Sequence, residues 1–247
     1  MKLGGRLFLL VWLGCLAGAR FCLAGDAADF FAQGTTAYQA GEFAEAATAF
    51  QKSIEQRPAS GAFLNLGLVE WQRGDAGTAM LDWERARWLD PFDSRAAENL
   101  QFARQVLQLN DPELTWFETA STWLPPNAWV WLAGVSLWLA AGLVTLPGFL
   151  RWRKAGWQQT VAAISLGVFL FAMVANLGVV SRTHLGLVVR KDAVLRLTPT
   201  AEGEIITTLA AGEPARELRT RGNYRFIRTA GAEGWIDRNQ FALISPD

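Results

Sequence analysis

The sequence predicts a multidomain membrane protein with three parts: an all-α helical-repeat module, a two-helix transmembrane hairpin and a small all-β domain. Three observations predict this fold class. A residue pattern recurs in the N-terminal part, two long uncharged apolar runs occupy residues 128–150 and 160–181, and short apolar runs separated by turn residues follow residue 184. Apolar residues make up 51% of the 247 residues, which is high for a purely soluble chain.

Residues 1–25 are predicted to be a secretory signal. Lys2 and Arg6 precede an uncharged apolar stretch at residues 7–19, and a positive start before a short apolar core is typical of such signals. The stretch is too short to cross about 30 Å of hydrocarbon as a helix. We expect cleavage at the end of the range, and the alternatives are a lipoprotein signal at Cys15 and an uncleaved signal anchor.

A 33-residue period follows the signal. Small residues, aromatic residues and prolines recur at this spacing: Gly34 as Gly67, Gly41 as Gly74, Ala46 as Ala79, Phe50 as Trp83, and Pro58 as Pro91. The pattern resembles the tetratricopeptide repeat, a helix–turn–helix unit. We therefore predict a tetratricopeptide-repeat module over residues 26–110, closed by a capping helix at 94–109 with Asp93 at its N-cap.

The resemblance implies a binding surface on the inner, concave face of the repeats. By repeat position this face is lined by an apolar and aromatic set of protein-binding residues: Phe31, Thr35, Tyr38, Leu64, Leu68 and Trp71. Such a face suits an extended segment or a helix of a partner protein. The alternative is that several of these side chains are buried against the capping helix or the linker.

Residues 111–127 connect the module to the first apolar run. Asp111 and Pro112 are a suitable helix start, so the linker is predicted either to contain a short helix lying in the membrane interface or to be irregular. Residues 128–150 contain no charge and would rise about 34 Å as a helix, enough to cross a bilayer. Residues 160–181 form a second span.

A basic loop at residues 151–159 sets the predicted orientation. Arg151, Arg153 and Lys154 lie in this loop, and positive loops stay in the cytoplasm. The sequence therefore predicts a two-pass protein of the bacterial inner membrane, in contact with membrane lipid. Both the repeat module and the C-terminal domain would then lie in the periplasm.

The C-terminal domain, residues 184–247, is predicted to be β-structure. Six short runs separated by turn residues are predicted strands: 187–190, 193–197, 205–209, 215–219, 224–228 and 234–237. The order resembles the bacterial SH3-like barrel, with a Thr-Pro after the second run, a Leu-x-x-Gly turn at 209–212 and Gly-Trp-Ile at 234–236. Some members of that family bind cell-wall peptides, so the resemblance implies Tyr224 and Trp235 as wall-ligand contacts. The alternative for Trp235 is a place in the core.

Composition argues against several functions. The chain has one histidine, and its two cysteines lie in the predicted signal, so we expect no catalytic residues, no metal site and no cofactor. Because the formal net charge is zero and no basic stripe is present, nucleic acid is not an expected partner. The sequence therefore predicts a binding protein and not an enzyme.

The order of parts, with Glu98-Asn99-Leu100 in the capping helix and Pro126-Asn127-Ala128-Trp129 before the first span, resembles the BatE family of the Bacteroides aerotolerance operon. This resemblance implies a role in an envelope stress or aerotolerance complex. It also implies partners, namely membrane proteins with von Willebrand factor A domains and a MoxR-type ATPase system. We expect a periplasmic scaffold or adaptor, and the alternative is a peptidoglycan sensor that acts through the SH3-like domain.

Overall fold

A computed structural model describes residues 24–149 and 156–245. Five helices form the N-terminal module: α1 (Ala24–Gln39), α2 (Phe43–Gln56), α3 (Ser60–Gln72), α4 (Ala76–Leu89) and α5 (Ser94–Leu107). The helix α1 packs against α2 and α3 against α4, and α5 closes the stack against α4. The predicted signal lies outside the described residues except for Ala24 and Gly25, which begin α1.

Glycines make both the turns and the close contacts of this module. Gly41 and Gly74 follow α1 and α3 with φ angles of +78° and +82°, a left-handed conformation that is least strained for glycine. A Cβ on Gly67 would lie 2.5 Å from Nε1 of Trp83, and one on Gly34 would lie 2.8 Å from the Phe50 ring. Only glycine therefore lets the paired helices approach this closely.

Two further helices are long and apolar enough to cross a membrane: α7 (Pro126–Phe149), of which Pro126–Thr145 qualifies, and α8 (Gly156–Arg182). They pack against each other through Trp129, Ala133, Ala172 and Ala175. The first four residues of α8 fall in the predicted basic loop, whose residues 151–155 lie outside the described part of the chain. The helix α7 thus begins two residues before the first predicted span, and α8 extends beyond the second predicted span at both ends.

The C-terminal end of α8 extends past the start of α7. Trp129, in the first turns of α7, contacts Phe171 with ring centroids 5.8 Å apart. Residues 176–182, which we call the stem, therefore lie beyond the level at which α7 begins. The short helix α6 (Trp116–Ser121) packs along this stem, so closely that a Cβ on Gly178 would collide with the carbonyl oxygen of Phe117.

The start of α6 differs from the prediction. The helix begins at Trp116 and not at Asp111 and Pro112, because Thr115 supplies its N-terminal cap. The backbone N–H and the hydroxyl of Thr115 donate to Oε2 of Glu118 at 2.9 and 2.8 Å, a pairing that stabilises the first turn. The linker between the module and α7 is thus partly helical and is held against α8.

Seven antiparallel strands follow the stem: β1 (Leu185–Val188), β2 (Ala193–Arg196), β3 (Ile205–Leu209), β4 (Pro214–Arg221), β5 (Tyr224–Arg228), β6 (Glu233–Asp237) and β7 (Phe241–Leu243). The order across the sheet is β3-β2-β6-β5-β4-β1-β7. The six predicted strands are present, with boundaries that differ by at most two residues. The three-residue β7, which pairs with β1, was not predicted.

The predicted closed barrel is not formed. Among the described residues the edge strands β3 and β7 do not pair with each other, so the sheet is open. Leu209 of β3 and Phe241 of β7 nevertheless join one apolar cluster with Ile227 and Ile236. Irregularities in the register of β2 and β4 allow this curvature, since bulges bend and twist a strand.

Candidate functional site

Three of the six predicted groove residues lie together on the module. Thr35 and Tyr38 of α1 and Leu68 of α3 line a cavity of about 40 Å³, which Asn65 and Phe50 complete. All three predicted residues are half-buried, and the Thr35 hydroxyl donates to the carbonyl oxygen of Phe31 at 3.0 Å. We call the surface between α1, α3 and α5 around this cavity the groove.

The other three predicted residues are held by contacts within the module. Leu64 is 4% exposed, and its carbonyl oxygen accepts a hydrogen bond from Nε1 of Trp83 at 3.2 Å. Phe31 packs edge-on against Phe50 with ring centroids 5.6 Å apart. Trp71 packs against Trp83 with ring centroids 5.7 Å apart. The alternative of burial thus applies to Leu64, while Phe31 and Trp71 are half-buried at the groove wall.

Besides Phe50, two further residues at the groove, Asn65 and Phe102, were not predicted from the sequence to line it. Asn65 lines the cavity, and it lies three residues before Leu68, a spacing that places both on one helix face. Phe102 of α5 is 55% exposed and meets Trp71 edge-on, with ring centroids 5.8 Å apart. The buried face of α5 is formed by Ala96, Leu100 and Ala103. An aromatic residue outside that face, Phe102, is the feature of the sequence that could have indicated this contact.

The predicted wall-ligand residues lie on the outer face of the sheet. Trp235 pairs across the strands with Phe226, their rings 5.2 Å apart. The Arg219 guanidinium lies 4.6 Å from the Phe226 ring centroid and 5.6 Å from that of Trp235, a distance suited to cation–π attraction. Trp235 is consequently only 8% exposed, whereas Tyr224 is half-buried opposite Asp237.

A buried polar cluster joins the parts of the protein. The Glu118 side chain, 1% exposed, accepts hydrogen bonds at Oε1 from Arg216 at 2.8 Å and from the Ser181 hydroxyl at 2.5 Å. Burial alone would raise the pKa of Glu118, but the hydrogen bonds from Ser181, Thr115 and Arg216 lower it. We call Glu118, Ser181 and Arg216 the junction, because they connect α6, the stem and β4.

The sheet also packs directly against α4. A Cβ on Gly77 would collide with the carbonyl oxygen of Val189, and one on Gly212 would collide with the Met80 sulfur. Arg85 Nη2 donates to the carbonyl oxygen of Leu243 at 3.3 Å. The sheet therefore contacts α4, whereas the groove lies on α1, α3 and α5.

Asp82 is a buried acid beside this contact. Its side chain is 3% exposed, and its nearest cation, Nη1 of Arg85, lies 3.7 Å away. Burial, the largest cause, and the nearby charges of Glu70 and Asp75 together raise the pKa of Asp82 to about 8, although the Arg85 guanidinium lowers it. Across residues 24–149 and 156–245, no group of three or more His, Cys, Asp or Glu side chains could hold a metal ion.

A comparison with known protein families finds a match in the part of the chain that forms the two helix pairs. Residues 31–93 match the family model of the tetratricopeptide repeat. The match runs from α1 to the N-cap of α5, so it covers both helix pairs of the tetratricopeptide-repeat module. No curated protein matches the chain. The repeat indicates an interaction scaffold, since modules of this family are in general non-enzymatic and bind other proteins.

Proposed function

We propose that this protein is a membrane-anchored scaffold whose groove binds a segment of a partner protein. The observation that carries the proposal is the position of the sheet. It packs against α4 at Gly77 and Met80, so the chain's own C-terminal part leaves the groove uncovered. Thr35, Tyr38 and Leu68 are then accessible to another protein.

The junction supports a hairpin whose two ends emerge on one side of the membrane. Glu118 precedes α7 and Arg216 follows α8, and the two side chains are hydrogen-bonded at 2.8 Å. Trp131 and Trp138 on α7 are 74% and 79% exposed, as expected of side chains that face lipid. With the basic residues at 151–154 in the cytoplasm, the proposed location of both domains is the periplasmic side of the inner membrane.

The order of the parts supports a narrower proposal. We propose a BatE-like role in an envelope stress or aerotolerance complex, with membrane proteins containing von Willebrand factor A domains and a MoxR-type ATPase system as the partners to test first. A secretory signal at residues 1–25 and an SH3-like fold for the curved sheet belong to the same proposal.

The experiment is site-specific photo-cross-linking in native membranes of the source cell. A benzoylphenylalanine that replaces Leu68 in the groove should cross-link a partner protein, identified by mass spectrometry. The same probe in place of the exposed Gln51 on α2 is the control and should not. Equal cross-linking from both positions, or none from position 68, would contradict the scaffold proposal.

A second candidate function, peptidoglycan binding, is favoured by the aromatic and cationic outer face of the sheet. Tyr224, Phe226 and Arg219 could contact a sugar or peptide there, although Arg219 covers Trp235. The full chain in detergent should then sediment with purified murein, and Tyr224→Ala should reduce the bound fraction. If wild type stays in the supernatant, this function is excluded.

A further inference from the structure

Residues 116–123, which contain α6, and the stem form a pair whose charged and serine side chains point inward. Glu118 and Ser121 are both buried. Nη1 of Arg182 donates to the Ser121 hydroxyl at 3.2 Å, and the Ser181 hydroxyl donates to Glu118. Hydrogen bonds within the pair and from the sheet therefore satisfy these polar groups.

Large apolar side chains of the same pair point outward. Four of them are at least 60% exposed, and we call them the collar: Trp116, Trp123, Leu177 and Val180. Exposed apolar surface of this kind usually marks contact with another molecule or with a membrane. The pair has the opposite arrangement to a soluble domain, with polar groups inside and apolar groups outside, and segments in contact with lipid have this arrangement.

Residues 116–123 run alongside α8 and not across it. Glu118 bonds to Ser181, whereas Trp123 contacts Phe171 with ring centroids 6.2 Å apart. These two contacts lie about 15 Å apart along α8, at 1.5 Å per residue. The collar thus surrounds α8 between the level at which α7 begins and the start of the sheet.

The length of α8 places the collar beside lipid. The helix has 27 residues and the apolar part of α7 has 20, so α8 is about 10 Å longer. The apolar part of α7 matches about 30 Å of hydrocarbon, and the headgroup layer adds roughly 5–8 Å on each side. No charged residue interrupts Gly156–Arg182 before Arg182. The stem therefore extends about as far as the headgroup layer is deep.

We propose that residues 116–123 and the stem are embedded in the headgroup layer of the bilayer, with the collar in contact with phospholipid. Tryptophan suits this layer, because its ring is apolar and its N–H can donate to a lipid carbonyl or phosphate oxygen. The junction then lies at the depth of the headgroups, with the sheet and the repeat module directly above them. The inference rests on the proposed membrane anchoring and extends the lipid-binding surface beyond the two spans.

Spin labels on the full chain in lipid nanodiscs, with one chain in each, test this depth. In a background with Cys15 and Cys22 changed to serine, Thr119→Cys carries the label. Thr119 is exposed and lies three residues after Trp116 and four before Trp123, so it shares their face. The nitroxide should collide often with oxygen, which concentrates in lipid, and rarely with a water-soluble nickel complex.

Thr48→Cys on α2 is the matched control. Thr48 and Thr119 are both exposed, and each hydroxyl donates to the carbonyl oxygen four residues earlier. The label at position 119 should collide with the nickel complex several-fold less often than the label at position 48. Leu139→Cys, in the middle of α7, should be protected at least as well as position 119.

The double variant Trp116→Ala/Trp123→Ala tests whether the collar causes the protection. Removal of both rings should raise the nickel collision rate at position 119 towards that at position 48. The unfolding midpoint in detergent should stay close to wild type, because both side chains are exposed. Phe102→Ala removes an exposed aromatic side chain of the repeat module and should leave the collision rate unchanged. Unchanged protection in the double variant would overturn the lipid contact of the two tryptophans.

The three labelled positions distinguish this inference from the proposed anchoring. If position 119 is as accessible to nickel as position 48 while position 139 is protected, the hairpin stands and the lipid contact of the collar is wrong. If position 139 is also accessible, the chain does not span the bilayer and both proposals fail. Protection of position 119 in native membranes but not in nanodiscs would mean that a protein covers the collar, which also overturns the inference.

Discussion

Glu118 accepts a hydrogen bond from Nη2 of Arg216 at 2.8 Å, although 98 positions of sequence separate the two residues. The two helices that are long and apolar enough to cross a membrane, α7 and α8, lie between them in the chain. The contact therefore ties the segment that enters the hairpin to the domain that leaves it, and Ser181 of the stem bonds to the same carboxylate oxygen. The segment before α7 and the sheet after α8 are thereby connected directly and not only through the two long helices.

Loss of the Glu118 charge should destabilise this connection. Glu118→Gln leaves Arg216 without its ion-pair partner, and we expect a loss of about 2 kcal/mol in the free energy of unfolding. Thermal unfolding of the full chain in detergent measures it. Glu113→Gln, at an exposed position of the same linker, is the control and should leave the midpoint unchanged; an equal effect of both variants would contradict the assigned role.

The junction should also weaken in acid. The pKa of Glu118 is lowered in the folded state, so its stabilising contribution is present above the ordinary carboxyl pKa and is lost as the pH falls through the folded-state value. The unfolding midpoint of wild type should therefore fall more steeply below about pH 4.5 than that of Glu118→Gln. If the unfolding midpoints of wild type and Glu118→Gln change with pH in parallel, the carboxylate of Glu118 does not stabilise the folded state in this pH range.

Asp82 should act in the opposite sense. Its pKa is raised from 3.8 to about 8, so the folded state holds this proton more tightly than the unfolded state. Stability therefore falls as the pH rises from about 4 to about 8 and levels off above that range. Asp82→Asn mimics the neutral acid, so relative to wild type it should gain stability as the pH rises from about 4 to about 8, by about 1 kcal/mol or more, with no further gain above pH 8. Asp29→Asn, at an exposed site, is the control and should follow the wild-type profile throughout.

Two glycines of α3 should respond oppositely to alanine. A Cβ at position 67 would lie 2.5 Å from Nε1 of Trp83, whereas one at position 61 would lie 3.9 Å from the nearest atom, in Phe31. Gly67→Ala should cost about 1–3 kcal/mol through overpacking, and Gly61→Ala should be neutral or stabilise by up to about 1 kcal/mol through helix propensity. Chemical unfolding followed by tryptophan fluorescence compares them, and similar midpoints would contradict the packing of α3 on α4.

The contact between sheet and repeat module can be isolated with another glycine pair. Gly212 and Gly222 both have positive φ, at +86° and +58°, but only Gly212 is packed, against Met80 and Leu109. Alanine should cost about 1 kcal/mol at either site through the backbone. Gly212→Ala should cost about 1–2 kcal/mol more through collision with Met80, seen as a lower unfolding midpoint and faster proteolysis at residues 108–113.

The proposed orientation predicts a labelling pattern in spheroplasts. In a variant with Cys15 and Cys22 changed to serine, a cysteine that replaces Gln51 or Gly231 should react with a membrane-impermeant maleimide. A cysteine that replaces Lys154 should react only after the membrane is permeabilised, because basic loops remain in the cytoplasm. Labelling of position 154 from outside would reverse the orientation.

Features that depend on short-range patterns of residues could be predicted before the fold was known. The repeat period could be read because the close contact of Gly67 with Trp83 and the turn at Gly74 each require glycine at a fixed place in the repeat. The two candidate membrane-spanning helices follow from uncharged length, and six strands follow from short runs separated by turn residues. Each of these patterns lies within one repeat, one helix or one strand, so it is visible in the order of residues along the chain.

How the repeat module, the two long helices and the sheet contact one another could be seen only in the folded structure. The sheet stays open because its edge strands do not pair, and closure depends on bulges and curvature over the whole sheet. The Arg219 side chain covers the Trp235 ring and shields it from solvent. Glu118 holds α6 on the stem and accepts a hydrogen bond from Arg216, a residue that is distant in sequence. Contacts of this kind join residues that have no fixed spacing in the sequence, so a sequence pattern does not predict them. Because the sheet packs on α4, the groove on α1, α3 and α5 is not covered by it.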